Sequence, residues 1–93
     1  MNEEKKMAVT QVIQKALKEG KVLIGYKKSI SSLKTDSPKM IIIAKNIPDE
    51  MRKEIEHNAK MSETPVEIFN NTSKELGLIC GKSFPITTIT IKR

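Results

Sequence analysis

The residues with the clearest chemical potential in this sequence lie where a short apolar run ends in a glycine followed by lysines. The run is Val22–Ile24, Gly25 ends it, and Tyr26, Lys27 and Lys28 come next. This order is typical of a buried strand that stops at a glycine and passes directly into the start of a helix. Such a turn directs backbone N–H groups and ammonium groups toward one place, which suits anionic oxygens. The stretch therefore predicts a site for a phosphate-bearing ligand.

A second polar pair follows the second apolar run. Met40–Ala44 is continuously apolar, and Lys45 and Asn46 come directly after it. The Asn46 amide offers a donor and an acceptor, which suits the edge of a nucleobase. Asparagine is also favoured near helix starts, so capping of a helix that begins at Pro48 stays open beside the binding role. Because ligands collect at the carboxyl ends of strands in α/β sheets, the two turns together predict one binding surface.

Residues suited to catalysis or metal binding are scarce. His57 is the only histidine and Cys80 the only cysteine, and neither has a partner at a suggestive spacing. The sequence also lacks a GxxxxGK(S/T) phosphate loop and paired metal ligands. We therefore expect no catalytic residue, no metal and no cofactor; a small nucleotide-using enzyme that relies on Ser29 or His57 is the alternative. A lone cysteine excludes an internal disulfide and fits a reducing, cytoplasmic compartment.

Charge gives the strongest indication of the kind of partner. The 17 Lys and Arg residues outnumber the 11 Asp and Glu residues, which leaves a net charge of +6 and a pI near 9.6. Residues 21–34 hold four lysines and no acid, whereas acids collect in residues 2–4, 49–56 and 63–75. A field of this sign favours polyanions, with nucleic acid before an acidic membrane surface or an acidic protein. We expect folded RNA, and unselective binding of duplex DNA is the alternative.

Length and composition predict a single globular domain over residues 1–93. Hydrophobic residues make up 38% of the chain and charged residues 30%, as is ordinary for a globular protein. No apolar run approaches the ~20 residues that a membrane-spanning helix needs, and the charged N-terminal residues show no secretory signal. A chain of 93 residues is long enough for one hydrophobic core and too short for two.

Hydrophobic periodicity predicts four helices that alternate with four strands. The predicted helices are Glu3–Glu19, Lys27–Lys34, Pro48–Met61 and a helix from Ser73 to Gly81, and the predicted strands are Val22–Ile24, Met40–Ala44, Val66–Phe69 and Ile86–Ile91. We expect Val22–Ile24 to be buried on both faces, Met40–Ala44 to be central, and Thr72 with Glu75 to form a capping box. The alternation predicts an α/β fold: a largely parallel or mixed four-stranded sheet between layers of helices.

Four stretches resemble a known family in order and spacing. They are GKVLIGYKKSI, KMIIIAKNIP, AKMSETPVEIF and SKELGLICGKSFP, and the likeness extends from about residue 16 to residue 91. They resemble the family of large-subunit ribosomal protein thirty of archaea and eukaryotes, which belongs to the kink-turn RNA-binding superfamily. This resemblance implies a three-layer α-β-α sandwich that grips a kink-turn, a sharply bent RNA with tandem G·A pairs, mainly through three loops.

The resemblance also implies which residues contact the RNA. The positions that match the family pattern are Gly25, Lys27, Lys28, Lys45, Asn46, Arg52, Leu78, Ile79, Cys80, Gly81 and Phe84. Among them, Asn46 would read base edges, and Phe84 matches an aromatic residue that stacks on RNA in some members. From the residues alone, Leu78 and Ile79 are equally consistent with helix core, and Phe84 with a buried anchor.

Two features depart from the family pattern. Tyr26 and Lys28 replace the asparagine–glutamate pair of the superfamily's best-known kink-turn branch, which implies weaker or different base readout there. The sequence ends at Arg93, where many relatives continue, so contacts made by such a tail are not expected.

Together these observations predict a non-enzymatic constituent of the large ribosomal subunit that binds kink-turn-type ribosomal RNA. Its expected partners are ribosomal RNA and neighbouring ribosomal proteins, without a membrane, and the free chain is expected to be a monomer. The alternative is a kink-turn binder outside the ribosome, in an RNA-modification particle or as a regulatory RNA binder. Either function requires Gly25, Asn46 and Gly81 to converge on one positively charged patch.

Overall fold

Four helices and four strands alternate along the chain in the order that the periodicity predicts. A computed structural model describes the backbone of residues 2–93 and the side chains of residues 9–93. The elements are α1 (Asn2–Lys18), β1 (Val22–Ile24), α2 (Tyr26–Thr35), β2 (Met40–Ala44), α3 (Asp49–Met61), β3 (Val66–Phe69), α4 (Ser73–Ile79) and β4 (Thr88–Ile91). No helix in residues 2–93 combines the length and the apolar character needed to cross a bilayer.

The four strands form one mixed sheet in the order β1-β4-β2-β3. β2 and β3 are parallel, whereas β4 runs antiparallel to both of its neighbours, β1 and β2. The prediction of a mixed sheet is confirmed, but only one of the three strand pairs is parallel. This topology makes β1, β2 and β3 end at the same edge of the sheet, where β4 begins. We call this the front edge, and the opposite edge, where β1, β2 and β3 begin and β4 ends, the rear edge.

Helices cover both faces of the sheet and complete a three-layer α-β-α sandwich. In β2, Ile42 and Ala44 face α1 and α4, in a core that includes Ile13 of α1. Ile41 and Ile43 point to the other face, where α2 and α3 pack. Because alternate strand residues point to opposite faces, a strand buried on both sides must be apolar throughout, as β2 is.

Two strand predictions need correction. The three residues of β1 are only half-buried, because β1 lies at the border of the sheet with β4 as its single neighbour. The final strand begins at Thr88, since the preceding residues of the predicted strand belong to the loop that leaves α4. The central position of Met40–Ala44 is confirmed by its place between β4 and β3.

The layer between β4 and α2 contains hydroxyl groups rather than large apolar side chains. Thr88 and Thr90 are fully buried on the face opposite Ile89, and Ser29 of α2 is also fully buried. Within the described part of the chain, the hydroxyl oxygens of Ser29 and Thr90 have no hydrogen-bond partner. These small side chains leave room for α2, whose first turn leads directly from Gly25, to lie close to the sheet.

Candidate nucleic-acid interface

Main-chain hydrogen bonds tie the end of β1 and the end of β2 to the start of β4. The Gly25 N–H donates to the Thr88 carbonyl over 3.0 Å, and the Ala44 N–H donates to the Thr87 carbonyl over 2.8 Å. Both bonds lie at the front edge of the sheet. The turn after β1 and the turn after β2 are therefore held against the same segment.

The loop after β3 joins this assembly through two further bonds. The Lys45 N–H donates to the Asn71 carbonyl over 3.0 Å, and the Ile86 N–H donates to the Ser73 carbonyl over 2.9 Å. The front edge thus consists of four connected loops with a common main-chain framework. Gly25 and Asn46 lie in two of these loops, and Gly81 lies in the loop that leads from α4 to β4.

Gly25 adopts a backbone conformation that is essentially restricted to glycine. Its φ is 118° and its ψ is 152°, and it immediately precedes α2. Its carbonyl accepts the Ser29 N–H over 3.1 Å, which closes the first helical turn. A Cβ atom at Gly25 would meet no described atom within 4 Å. The conformation rather than crowding therefore requires glycine, and the space above the backbone is open to a ligand.

Asn46 caps a helix, but not the one that the sequence suggests. Its Oδ1 accepts the Ser73 N–H over 2.8 Å, and its Nδ2 donates to the Ser73 hydroxyl over 3.3 Å. Asn46 therefore caps α4, while α3 begins after Pro48 with no side-chain cap among the described residues. The predicted capping box is also wrong, because Thr72 makes no side-chain bond to the helix. A second N–H and a second lone pair of the Asn46 amide are left over for a base edge.

The loop after α4 starts from a left-handed glycine. Gly81 has a φ of 75°, and its N–H donates to the Leu78 carbonyl over 3.0 Å. The Lys82 N–H donates to the Gly77 carbonyl over 2.9 Å. This pair of bonds is the Schellman arrangement, which ends a helix and fixes the direction of the next residue. The backbone position of Lys82 at the front edge is therefore defined by the helix end.

The apolar residues of this loop divide between surface and core. Leu78 is 57% exposed and Phe84 is 54% exposed, so the interpretation of Phe84 as a buried anchor is wrong. Ile79 is half-buried against the α1 and α4 core. The Cys80 side chain is buried there too, and this burial raises its pKa, while Lys82 acts in the opposite direction. The Cys80 thiol therefore fills space in this core.

A cleft of about 560 Å³ opens at the front edge between β1 and the loop that precedes β4. Its lining includes Gly25 and Lys28 from the turn after β1, and Lys82, Phe84 and Pro85 from the loop before β4. The cleft combines two ammonium groups, an exposed aromatic ring and a glycine backbone, which are the groups that bind phosphate and stack on a base. Lys82 is absent from the sequence-based prediction, although it directly follows the matched Gly81.

Three of the four predicted basic residues lie outside the lining of this cleft. Lys27 lines a separate groove of about 480 Å³ between α2 and α3, together with Tyr26 and Glu54. Arg52 is placed in the first part of α3, and its Nε lies 3.6 Å from the Glu56 carboxylate. Lys45 is exposed in the loop after β2. Asp49, Glu50 and Glu75 occupy the first turns of α3 and α4, so the positive side of the front edge is the side of β1 and β4.

Tyr26 anchors α2 to α3 beside the interface. Its hydroxyl donates to Glu54 Oε2 over 2.6 Å. Burial, together with the hydrogen bond to Glu54 and the charge of that carboxylate, raises the pKa of Tyr26 to about 12. The phenol is therefore protonated at physiological pH and acts as a structural donor.

The next feature is the placement of side chains that could bind a metal ion. Across the described residues, no group of three or more His, Cys, Asp and Glu side chains is placed to hold a metal ion. His57 is exposed on α3. The groups assembled at the cleft are those of a binding surface.

The architecture places the chain in a class of small α-β-α proteins for which solved structures exist. It superposes on the Giardia lamblia 15.5kD RNA binding protein with a TM-score of 0.88 and 17% identity, covering 100% of this chain and 78% of that one. It also superposes on a protein with unknown function from Bacillus halodurans C, with a TM-score of 0.81 and 17% identity, covering 90% and 83%. At these identities the likeness establishes the fold.

Sequence comparison identifies the family. Residues 7–93 match the Ribosomal protein L7Ae/L30e/S12e/Gadd45 family, and the chain belongs to it. It is 40% identical to large ribosomal subunit protein eL30 of Methanothermobacter thermautotrophicus over 92% of this chain and 88% of that protein. It is 43% identical to the eL30 protein of Candida albicans over 81% and 71%. The resemblance stated from the sequence is confirmed.

Proposed function

We propose that this protein is a structural constituent of the large ribosomal subunit that binds ribosomal RNA through its front edge. The observation that carries the proposal is its similarity to eL30 proteins over nearly the whole chain, such as 40% identity over 92% of its residues. The fold and the connected front-edge loops support a binding role rather than a catalytic one. In this proposal residues 1–93 act as a single RNA-binding domain, monomeric when free, that resides on cytoplasmic ribosomes beside other ribosomal proteins.

The bound RNA is a kink-turn or a similarly bent helix, in which two phosphate backbones approach each other. Lys28 and Lys82, which both line the front-edge cleft, contact these backbones. Gly25 lets the protein backbone approach closely, since it carries no side chain. Phe84 stacks on an unpaired base, for which aromatic stacking contributes about 1–3 kcal/mol. Asn46 tests a base edge with the N–H and the lone pair that capping leaves over.

Supporting contacts come from the flanks of the cleft. Lys27 and Lys45 contribute long-range attraction, and exposed Leu78 covers an unstacked nucleotide. Arg52 contributes less, because its guanidinium already lies near Glu56. Ile79 and Gly81 act through the position of their backbone.

The test compares a kink-turn RNA with the same RNA whose G·A pairs are replaced by Watson–Crick pairs. We expect the intact protein to prefer the kink-turn by at least about tenfold, or about 1.4 kcal/mol, in fluorescence anisotropy at fixed salt. Lys28→Ala and Lys82→Ala weaken binding of both RNAs equally, and each lowers the salt slope by roughly 1. Lys53→Ala, which removes an exposed lysine on α3, is the matched control.

Asn46 needs a variant that keeps its structural role. Asn46→Asp retains an oxygen that accepts the Ser73 N–H but has no N–H to offer a base. We expect this variant to lower the ratio of the affinity for the kink-turn RNA to the affinity for the G·A-disrupted RNA. The added negative charge weakens binding of both RNAs, so its general effect cancels in this ratio. Equal affinity of the intact protein for both RNAs would refute the proposal, as would failure of the protein to sediment with large subunits.

A further inference from the structure

A second basic cleft lies at the rear edge of the sheet, on the opposite side of the molecule from the front-edge loops. Its volume is about 360 Å³. Its lining includes five basic residues and one acidic residue, namely Lys15, Lys21, Lys39, Lys92, Arg93 and Glu19. These residues come from the end of α1, the starts of β1 and β2, and the end of β4. Only the rear edge of the folded sheet brings these four chain segments together.

The backbone beneath this cleft is held by hydrogen bonds. The Lys21 N–H donates to the Ala16 carbonyl, and the Lys92 N–H donates to the Lys21 carbonyl, each over 2.8 Å. The Lys39 N–H donates to the Ile91 carbonyl, also over 2.8 Å. The lysines at the starts of β1 and β2 and at the end of β4 are therefore carried by a rigid frame. This distinguishes the surface from a disordered basic tail.

The positive charge of the rear cleft is not neutralised within the described structure. Within residues 9–93, whose side chains are described, none of the five cations forms an ion pair, and Glu19 is the single acid in the lining. The Arg93 Nε donates to the Ser37 carbonyl over 2.6 Å. This carbonyl is neutral and leaves the charge of the guanidinium in place. Like charges gathered on a fixed frame repel each other, and a polyanion relieves that repulsion on binding.

The rear cleft fits a nucleic-acid backbone better than a protein or a membrane. Protein interfaces and membrane surfaces draw on large apolar anchors, whereas the charges of Lys and Arg supply most of the binding to a nucleic-acid backbone. The large apolar side chains that the described residues expose are Met61, Ile68, Leu78 and Phe84, and none of them lines the rear cleft. The apolar residues that do line it belong to the hydrophobic core.

We propose that the rear cleft binds the phosphodiester backbone of a second RNA segment while the front edge holds the first. The principal dimensions of the protein are 30 × 29 × 29 Å, so two RNA backbones on opposite edges are separated by the protein itself. In this proposal the ammonium and guanidinium groups at the rear edge contact phosphates rather than base edges. Binding there is therefore expected to be independent of RNA sequence and strongly dependent on salt.

The experiment measures binding of a labelled A-form RNA duplex without G·A pairs to four proteins. These are the intact chain, Lys39→Ala/Lys92→Ala at the rear edge, Lys28→Ala/Lys82→Ala at the front edge, and Lys53→Ala/Lys60→Ala on α3 as the matched control. We expect the rear-edge variant to bind the duplex at least about fivefold more weakly than the control variant does. Its salt slope should fall by roughly 2, since each lost phosphate contact contributes roughly 0.9.

Two further measurements keep the inference separate from the proposed function. The rear-edge variant should retain the intact protein's ratio of affinities for kink-turn and G·A-disrupted RNA, and its thermal midpoint should not fall, because only exposed cations are removed. Intact protein saturated with unlabelled kink-turn RNA should still bind the labelled duplex. If the rear-edge variant binds the duplex as tightly as the control variant does, the inference is overturned. This holds whether or not the front edge prefers kink-turn RNA.

Discussion

Asn46 shows how a single side chain can hold two distant segments of the chain together. Its amide oxygen caps α4 through the Ser73 N–H, although the two residues are 27 positions apart. The same side chain lies in the loop after β2, so it joins two of the front-edge loops. These bonds therefore fix the shape of the proposed RNA-binding surface in the free protein.

Tyr26 provides a prediction about pH at the scale of one residue. Its pKa is raised from 10.0 to about 12, chiefly by burial and then by Glu54, so folding favours the neutral phenol. The stabilisation is complete below pH 10 and is lost as the pH rises from 10.0 toward about 12. Because the sequence has one tyrosine and no tryptophan, absorbance near the phenolate band reports Tyr26 alone.

The test of this pKa uses two neighbouring carboxylates. Glu54→Gln removes the charge that faces the Tyr26 hydroxyl, and we expect the midpoint of the absorbance titration to move down toward 10.0. Glu56→Gln changes a carboxylate of the same helix that does not bond to Tyr26, and it should leave the midpoint unchanged. A midpoint near 10.0 in the intact folded protein would contradict the expectation.

At the scale of elements, the contact of α4 with its following loop depends on Gly77. A Cβ atom at this position would overlap the Phe84 carbonyl oxygen, which is part of the backbone and cannot rotate away. We expect Gly77→Ala to lower the free energy of unfolding by about 1–3 kcal/mol, as overpacking does. Denaturant unfolding measures the effect.

The sign of this change is informative. Alanine is a better helix residue than glycine by roughly 1 kcal/mol, so propensity alone predicts stabilisation. Leu78→Ala, at an exposed position of the same helix, is the control and should change stability little. If Gly77→Ala makes the protein more stable, α4 does not pack against the loop in the way described.

At the scale of the whole molecule, positive charge is placed at two opposite edges of a sheet. The net charge is +6, and the basic side chains within each cleft repel one another. Added NaCl should raise the thermal midpoint of the free protein, because salt screens exposed charges over about 10 Å at 0.1 M. The Lys39→Ala/Lys92→Ala variant should show a smaller rise than the intact protein. A midpoint that falls with NaCl would show that attraction, and not repulsion, dominates the surface charges.

Much of the fold was predictable because each element carries its own local pattern. The apolar spacing along α1 and the continuous apolar run of β2 follow from the faces that these elements bury. Gly25 and Gly81 were recognisable as element ends, and both have positive φ. The three-layer arrangement followed from the alternation of helices and strands.

The missed features depend on contacts between distant segments. Asn46 was assigned to the nearer helix because local capping rules consider only adjacent residues, whereas its partner Ser73 arrives through the pairing of β3 with β2. Lys82 was overlooked because only the fold brings it into the same cleft as Lys28, which is 54 positions earlier in the chain. The exposure of Phe84, which the sequence left open, depends likewise on how the loop after α4 turns.

The amino-acid sequence by itself determined which segments become helices and strands, where glycines end them, and the family to which the chain belongs. Tertiary structure alone decided how the lysines are distributed. Lys21 and Lys28 are seven positions apart in an acid-free stretch, yet β1 separates them, so one lines the rear cleft and the other the front cleft. The physical reason is that hydrogen-bonding and burial preferences act on neighbouring residues, whereas strand order and direction are set by long-range packing across the sheet.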